Sequence, residues 1–269
     1  MPSLAGLFIY PVKSCKGIAL ERALLTPAGL EHDREWMVVT PEGRFLTQRE
    51  LPRLALIEPS IDDVALTLSA PGIETLAVPL AAAAAAAYEV KVWGDRCRGL
   101  DAGEVPAQWL TGFLGRPVRL VRFDAAHRRP TDPDWSQGID GETRFTDGFP
   151  LLVLSQASLD DLNARLPEPL PLDRFRPNLL IDGCDAYAED AIGALVHESI
   201  RVRIVKPCTR CVITTTDQAT GTPVGDEPLR TLKTYRWNAQ LRGVAFAQNA
   251  VVEAGAGQYL ARGMALEAR

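Results

Sequence analysis

Short apolar runs, rich in β-branched residues and cut every few positions by proline or glycine, fill most of this chain and restrict it to a fold built from strands. Leu4–Tyr10 is such a run, ended by Pro11, and Ala19–Leu25 is the next. Trp36–Thr40 and Arg44–Thr47 flank a Pro41-Glu42-Gly43 turn. Leu54–Ser60, Val64–Ser69 and Ile73–Val78 are separated by Asp62-Asp63 and Pro71-Gly72, and Tyr88–Trp93 and Cys97–Leu100 flank Gly94-Asp95. Val118–Phe123, Phe149–Leu154 and Leu179–Asp182 follow. Ala194–His197, Ile200–Val205, Cys211–Thr216 and Val244–Glu253 fit a closed β structure.

Helical spacing is confined to a few stretches. Val105, Trp109, Leu110, Phe113 and Leu114 put a helix over 104–114, with Gly115 as its stop. Ser155 stands at an N-cap position, followed by Leu159, Leu162 and Leu166. Glu227–Tyr235 reads as a short helix, and the alanine run 81–87 as a surface loop or a single helical turn. The class is therefore α+β, predominantly β. Asp124–Asp147 is polar, proline-bearing and irregular, which places a boundary there between parts 1–123 and 124–269.

A formal charge of −5 argues against nucleic-acid binding, and no apolar run approaches the roughly 18 residues of a membrane span. Five cysteines without regular spacing point to a reducing compartment, and the start Met1-Pro-Ser-Leu lacks a signal-peptide pattern, so a cytoplasmic location is expected.

Chemistry concentrates at Lys206-Pro-Cys-Thr-Arg-Cys-Val-Ile-Thr-Thr-Thr-Asp217, a strand–turn–strand pattern that holds Cys208 and Cys211 at a turn. Neighbouring cations such as Lys206 and Arg210 favour the thiolate, the form that binds metals. One Cys-x-x-Cys pair does not make a four-cysteine zinc site, because Cys15, Cys97 and Cys184 stand far apart. The β-forming residues after Cys211 argue against a thioredoxin-like pair at a helix start. Two buried cysteines serving as small hydrophobes, and one thiolate serving a cofactor-borne metal, remain as readings. His32, His127 and His197 are scattered without ligand spacing. Val12–Gly17 offers two lysines and a hydroxyl, a loop able to hold a phosphate. Arg34 can pair with Asp33 or Glu35, but side chains one residue apart on a strand face opposite ways, which frees it for another partner.

Lys206–Gly221 resembles the cysteine motif of the MOSC (molybdenum cofactor sulfurase C-terminal) domain family, in its amidoxime-reducing branch. Five further segments resemble that family in the same order: Tyr10-Pro-Val-Lys-Ser-Cys-Lys-Gly17, Asp33-Arg-Glu-Trp36, Leu154-Ser-Gln-Ala-Ser158, Phe175-Arg-Pro-Asn178 and Leu232-Lys-Thr-Tyr235. The resemblance implies a MOSC β-barrel preceded by a β-rich domain. It also implies a molybdenum cofactor (Mo-molybdopterin) with Cys211 as the protein ligand and Cys208 beside it. Lys13, Ser14, Arg34, Ser155, Arg176, Asn178, Thr209, Arg210 and Asn249 would surround the cofactor, Asn249 replacing an aromatic residue of some relatives. Two-electron reduction of small N-hydroxylated substrates, amidoximes and hydroxylamines, is the implied reaction. With no further cysteine cluster before Arg269, electrons are expected from a separate ferredoxin- or cytochrome b5-like protein. A cofactor or sulfur carrier without reductase activity is the alternative, and a relic fold with an empty groove is a third.

Overall fold

The computed structural model describes residues 1–81 and 87–269, and the expectation for the alanine run falls on 82–86, outside the described residues. Strands dominate, as expected, with three short α-helices among the described residues: Glu104–Leu114, Gln156–Arg165 and Leu229–Lys233. The first ends where the sequence placed its stop, on Gly115 in the left-handed region at φ 73°. Ser155 caps the second, its hydroxyl accepting the Ser158 N–H at 3.0 Å.

The largest sheet runs Ile18–Leu20, Ser3–Ile9, Leu179–Asp182, Leu151–Ser155, Gly243–Ala254, Ile200–Thr209, Ala194–His197, Glu267–Ala268. Strands from both sides of residue 123 meet in it. Leu151–Ser155 and Leu179–Asp182 pair in parallel, and the helix Gln156–Arg165 forms part of the connection that parallel pairing requires. The two end strands do not pair with each other, so in its hydrogen bonding the sheet is open rather than closed. A three-stranded sheet, Tyr259–Ala261, Arg22–Thr26 and Gly29–Leu30, contributes to the same core. Leu4, Leu7, Leu25, Leu30, Val153, Ile181, Val202 and Leu260 fill it.

Two further sheets form a second body. Trp36–Val39, Arg119–Phe123, Asp95–Asp101 and Ala87–Val92 make one sheet, and Glu58–Ile61, Ala65–Ala70 and Ile73–Pro79 another. The helix Glu104–Leu114 buries Leu110 and Phe113 in a cluster with Leu66, Leu68 and Leu120. The hairpin strand expected over 44–47 is reduced to isolated bridges, Phe45 to Val39 and Arg44 to Lys91, with the Leu46 N–H donating to the Val38 carbonyl at 2.9 Å.

Candidate functional site

Ile200–Thr209 pairs with Gly243–Ala254, and its register slips between Ile204 and Lys206 and again between Pro207 and Thr209. Bulges of this kind bend a strand and re-aim its side chains. Cys208, Thr209, Arg210 and Cys211 consequently line a cleft, opposite Lys13, Ser14 and Arg34 from the first half of the chain. Arg176, Asn178 and Asn249 line it as well.

The strand expected after Cys211 is replaced by a 3₁₀ turn, Val212–Thr215. Its threonines explain the change. The Thr214 hydroxyl donates to the Cys211 carbonyl at 2.9 Å and the Thr215 hydroxyl to that of Val212 at 2.8 Å. Side-chain bonds of this type compete with a strand ladder for the backbone.

Six cations and one carboxylate, Asp147, face the cleft among the described residues. Three of the cations are neutralised: Lys13 by Asp147 at 2.5 Å, Arg34 by Asp33 at 2.6 Å and Arg174 by Asp217 at 3.2 Å. Arg49, Arg176 and Arg210 have no carboxylate partner among the described residues. Arg176 Nη2, Arg210 Nε and Arg174 Nε are moreover buried without a hydrogen-bond partner among the described residues. Leaving a buried charged donor unpaired is costly, so a wall with three of them is suited to an anion. Burial, reinforced by the neighbouring charge of Arg34, pulls the Arg176 guanidinium down to about 10.

Arg34 departs from the strand argument. It lies at φ 43°, outside any strand, and its Nη1 reaches both carboxylate oxygens of Asp33 at 2.8 and 2.6 Å. Alternation of side chains does not apply there, so the plain ion pair forms while the residue still lines the cleft. Arg34 and Arg176 clasp the Tyr10 ring, each guanidinium carbon 4.2 Å from its centroid. Gly17 permits this, because a Cβ there would collide with the Tyr10 ring.

Other expected contacts sort by what their polar atoms already hold. Lys13 Nζ donates to the Phe145 carbonyl at 2.7 Å as well as to Asp147, and burial lowers its pKa. Ser14, at φ 69°, gives its carbonyl to Gln48 at 2.7 Å and has its side chain at the cleft wall. Asn178 is fully buried and holds two strands and Arg34 together, so its side chain braces the wall. Asn249 sits opposite Lys206 in the sheet. Ser155 is the exception: it is absent from the cleft lining, fully buried, and its hydroxyl is spent on Ser158.

Both sulfurs are partly exposed and each has its own guanidinium. Arg210 Nη1 donates to Cys208 Sγ at 3.0 Å, and Arg49 Nη2 to Cys211 Sγ at 3.0 Å. No sequence signal assigned a role to Arg49. Nor does the sequence single out Asp147 or Arg174, although Asp147 closes the irregular 124–147 stretch and Arg174 precedes Phe175-Arg-Pro-Asn178. Buried Arg129 orders that stretch by donating to the carbonyls of Arg144 and Thr146, each at 2.7 Å, and Thr146, Asp147 and Phe149 line the cleft.

Residues 1–117 match the MOSC N-terminal beta barrel domain and residues 140–262 the MOSC domain. Mitochondrial amidoxime-reducing component 1 of Homo sapiens is 42% identical over 243 residues, 87% of this chain and 72% of that protein. Mitochondrial amidoxime reducing component 2 of Bos taurus is 35% identical over 242 residues, covering 87% and 72%. The chain belongs to the amidoxime-reducing component family of MOSC-domain proteins. Among solved structures, the YUAD protein of Bacillus subtilis is similar over 98% of this chain and 93% of its own, at 11% identity and a TM-score of 0.42. In this member of the MOSC family, a sulfur donor shares a cleft with three arginines that each keep one buried nitrogen without a partner among the described residues, a set that fits an anionic group carrying a sulfur-binding metal.

Proposed function

We propose that this protein is a molybdenum-cofactor-dependent reductase of small N-hydroxylated substrates, amidoximes and hydroxylamines, with Cys211 as the protein ligand to the metal. One observation carries the reading: Cys211, partly exposed, shares a cleft with Arg174, Arg176 and Arg210, each of which keeps one buried guanidinium nitrogen without a partner among the described residues. The names of its relatives support the substrate class.

When bound, the molybdenum cofactor would supply the two-electron couple that cleaves the N–O bond. The remaining roles fall to the chain. Arg176, Arg210 and Arg174 would hold the anionic end, with the Ser14 hydroxyl and Thr209 beside them. Tyr10 fixes Arg176 from one face, and Arg34 stacks on the same ring. Lys13 is anchored on Asp147 and the Phe145 carbonyl, keeping one ammonium charge on the same wall. Asn249 and Phe149 would border the space left for substrate. Val212, 56% exposed beside Cys211, leaves the sulfur side accessible to a ferredoxin- or cytochrome b5-like electron donor. A reducing cytoplasm suits the five free thiols.

Turnover of benzamidoxime tests the reading directly. Protein purified from a host that makes the cofactor, given a chemical reductant, is expected to form benzamidine, and Cys211→Ala to abolish it. Protein that carries molybdenum yet forms no benzamidine would instead be a cofactor carrier.

A further inference from the structure

We infer that Arg49 is the positioning residue of the Cys211 sulfur and that its hydrogen bond raises the reduction potential of a metal held there. The inference rests on the reading of Cys211 as the ligand, and its geometry is independent of that reading. Arg49 Nη2 lies 3.0 Å from Cys211 Sγ, joining residues 162 apart in sequence. No carboxylate competes for it among the described residues: the adjacent Glu50 is taken by Arg44 at 2.6 and 2.9 Å.

Arg49 is itself held in place. Its guanidinium carbon lies 4.9 Å from the Trp93 ring centroid, and its backbone N–H donates to the Thr47 hydroxyl at 3.3 Å. Trp93 is 47% exposed and sits at φ 55°, an unusual setting for a large aromatic. Its Nε1 donates to Asp147 Oδ1 at 3.2 Å, the oxygen that also receives Lys13. A chain of contacts thus runs from the Lys13–Asp147 ion pair through Trp93 and Arg49 to one sulfur. Cys208 is served separately by Arg210, so Arg49 discriminates between the two cysteines.

A charged donor on a thiolate draws electron density from the sulfur. A sulfur-bound metal becomes easier to reduce, because hydrogen bonds to ligating sulfurs shift potentials in that direction.

Two measurements of the loaded protein test this. An EPR-monitored redox titration of Arg49→Gln is expected to show the metal harder to reduce, by about tenfold in the ratio of reduced to oxidised metal at fixed potential, or about 59 mV for a one-electron couple. Arg49→Lys, which keeps a cationic donor, is expected to recover most of that shift, and both variants are expected to keep the wild-type molybdenum content. An unchanged potential in Arg49→Gln at wild-type molybdenum content overturns the proposal. Wild-type molybdenum content in Cys211→Ala refutes instead the reading of Cys211 as the ligand.

Discussion

Replacing Asn178 by alanine removes a side chain that substitutes for two sheet bonds at once. Its backbone N–H donates to the Leu152 carbonyl at 2.9 Å, and its carbonyl accepts the Phe8 N–H at 2.9 Å. On the same two neighbours, Oδ1 accepts the Leu152 N–H and Nδ2 donates to the Phe8 carbonyl, each at 3.1 Å. Alanine keeps the first two bonds and strands the Leu152 N–H in a buried site and the Phe8 carbonyl in a partly buried one. Each stranded group costs about 1–3 kcal/mol, and the lost Arg34 bond adds to this, so a destabilisation of about 4 kcal/mol is expected. At a urea slope of about 3 kcal/mol/M, the unfolding midpoint falls by more than about 1 M. Tryptophan fluorescence in a urea series reads this directly. A midpoint shift below about 0.3 M at unchanged slope would refute the reasoning, since it would mean that water replaces Asn178 at little cost.

Acid stability should depend on Glu35. Burial alone would raise its pKa, but the His32 hydrogen bond and the charges of Arg144 and Arg122 outweigh burial and bring it down to about 2 from an ordinary 4.5. A depressed carboxylate stabilises the fold above its unfolded pKa and loses that contribution as pH falls through the folded value. About 3 kcal/mol should therefore disappear between roughly pH 4.5 and 2, and Glu35→Gln should flatten that limb of the stability profile; equal slopes in both proteins would contradict this. Gly43, at φ 82°, abuts the Glu89 carbonyl, and a Cβ there would overlap that oxygen. Gly43→Ala should lower Tm by about 5 °C; an unchanged melt would contradict the clash.

Much of the fold was legible because its signals are local. The helix over 104–114 follows from apolar spacing and a glycine stop, and the Ser155 cap from one hydroxyl at a strand–helix junction. Strand 179–182 was bounded correctly by Pro177 and Asp182. Misreadings arose where side chains overrode backbone preference. Thr214 and Thr215 turn a β-forming run into a 3₁₀ segment, and the positive φ of Arg34 cancels the alternation that would have separated it from Asp33. Ser155, already committed as a cap, had no hydroxyl left for the cleft. Arg49 was invisible for a different reason: its partner lies 162 residues away, and no periodicity records that distance. The joining of Ser3–Ile9 to Leu179–Asp182 was likewise hidden, since both segments carry the same apolar pattern as a dozen others.

The central claim, a molybdenum centre held through Cys211 in an arginine-lined cleft, is tested most directly by the molybdenum content of purified protein measured by mass spectrometry. About one molybdenum per chain is predicted for the wild type and for Cys208→Ala, and close to none for Cys211→Ala. Wild-type molybdenum content in Cys211→Ala would contradict the account.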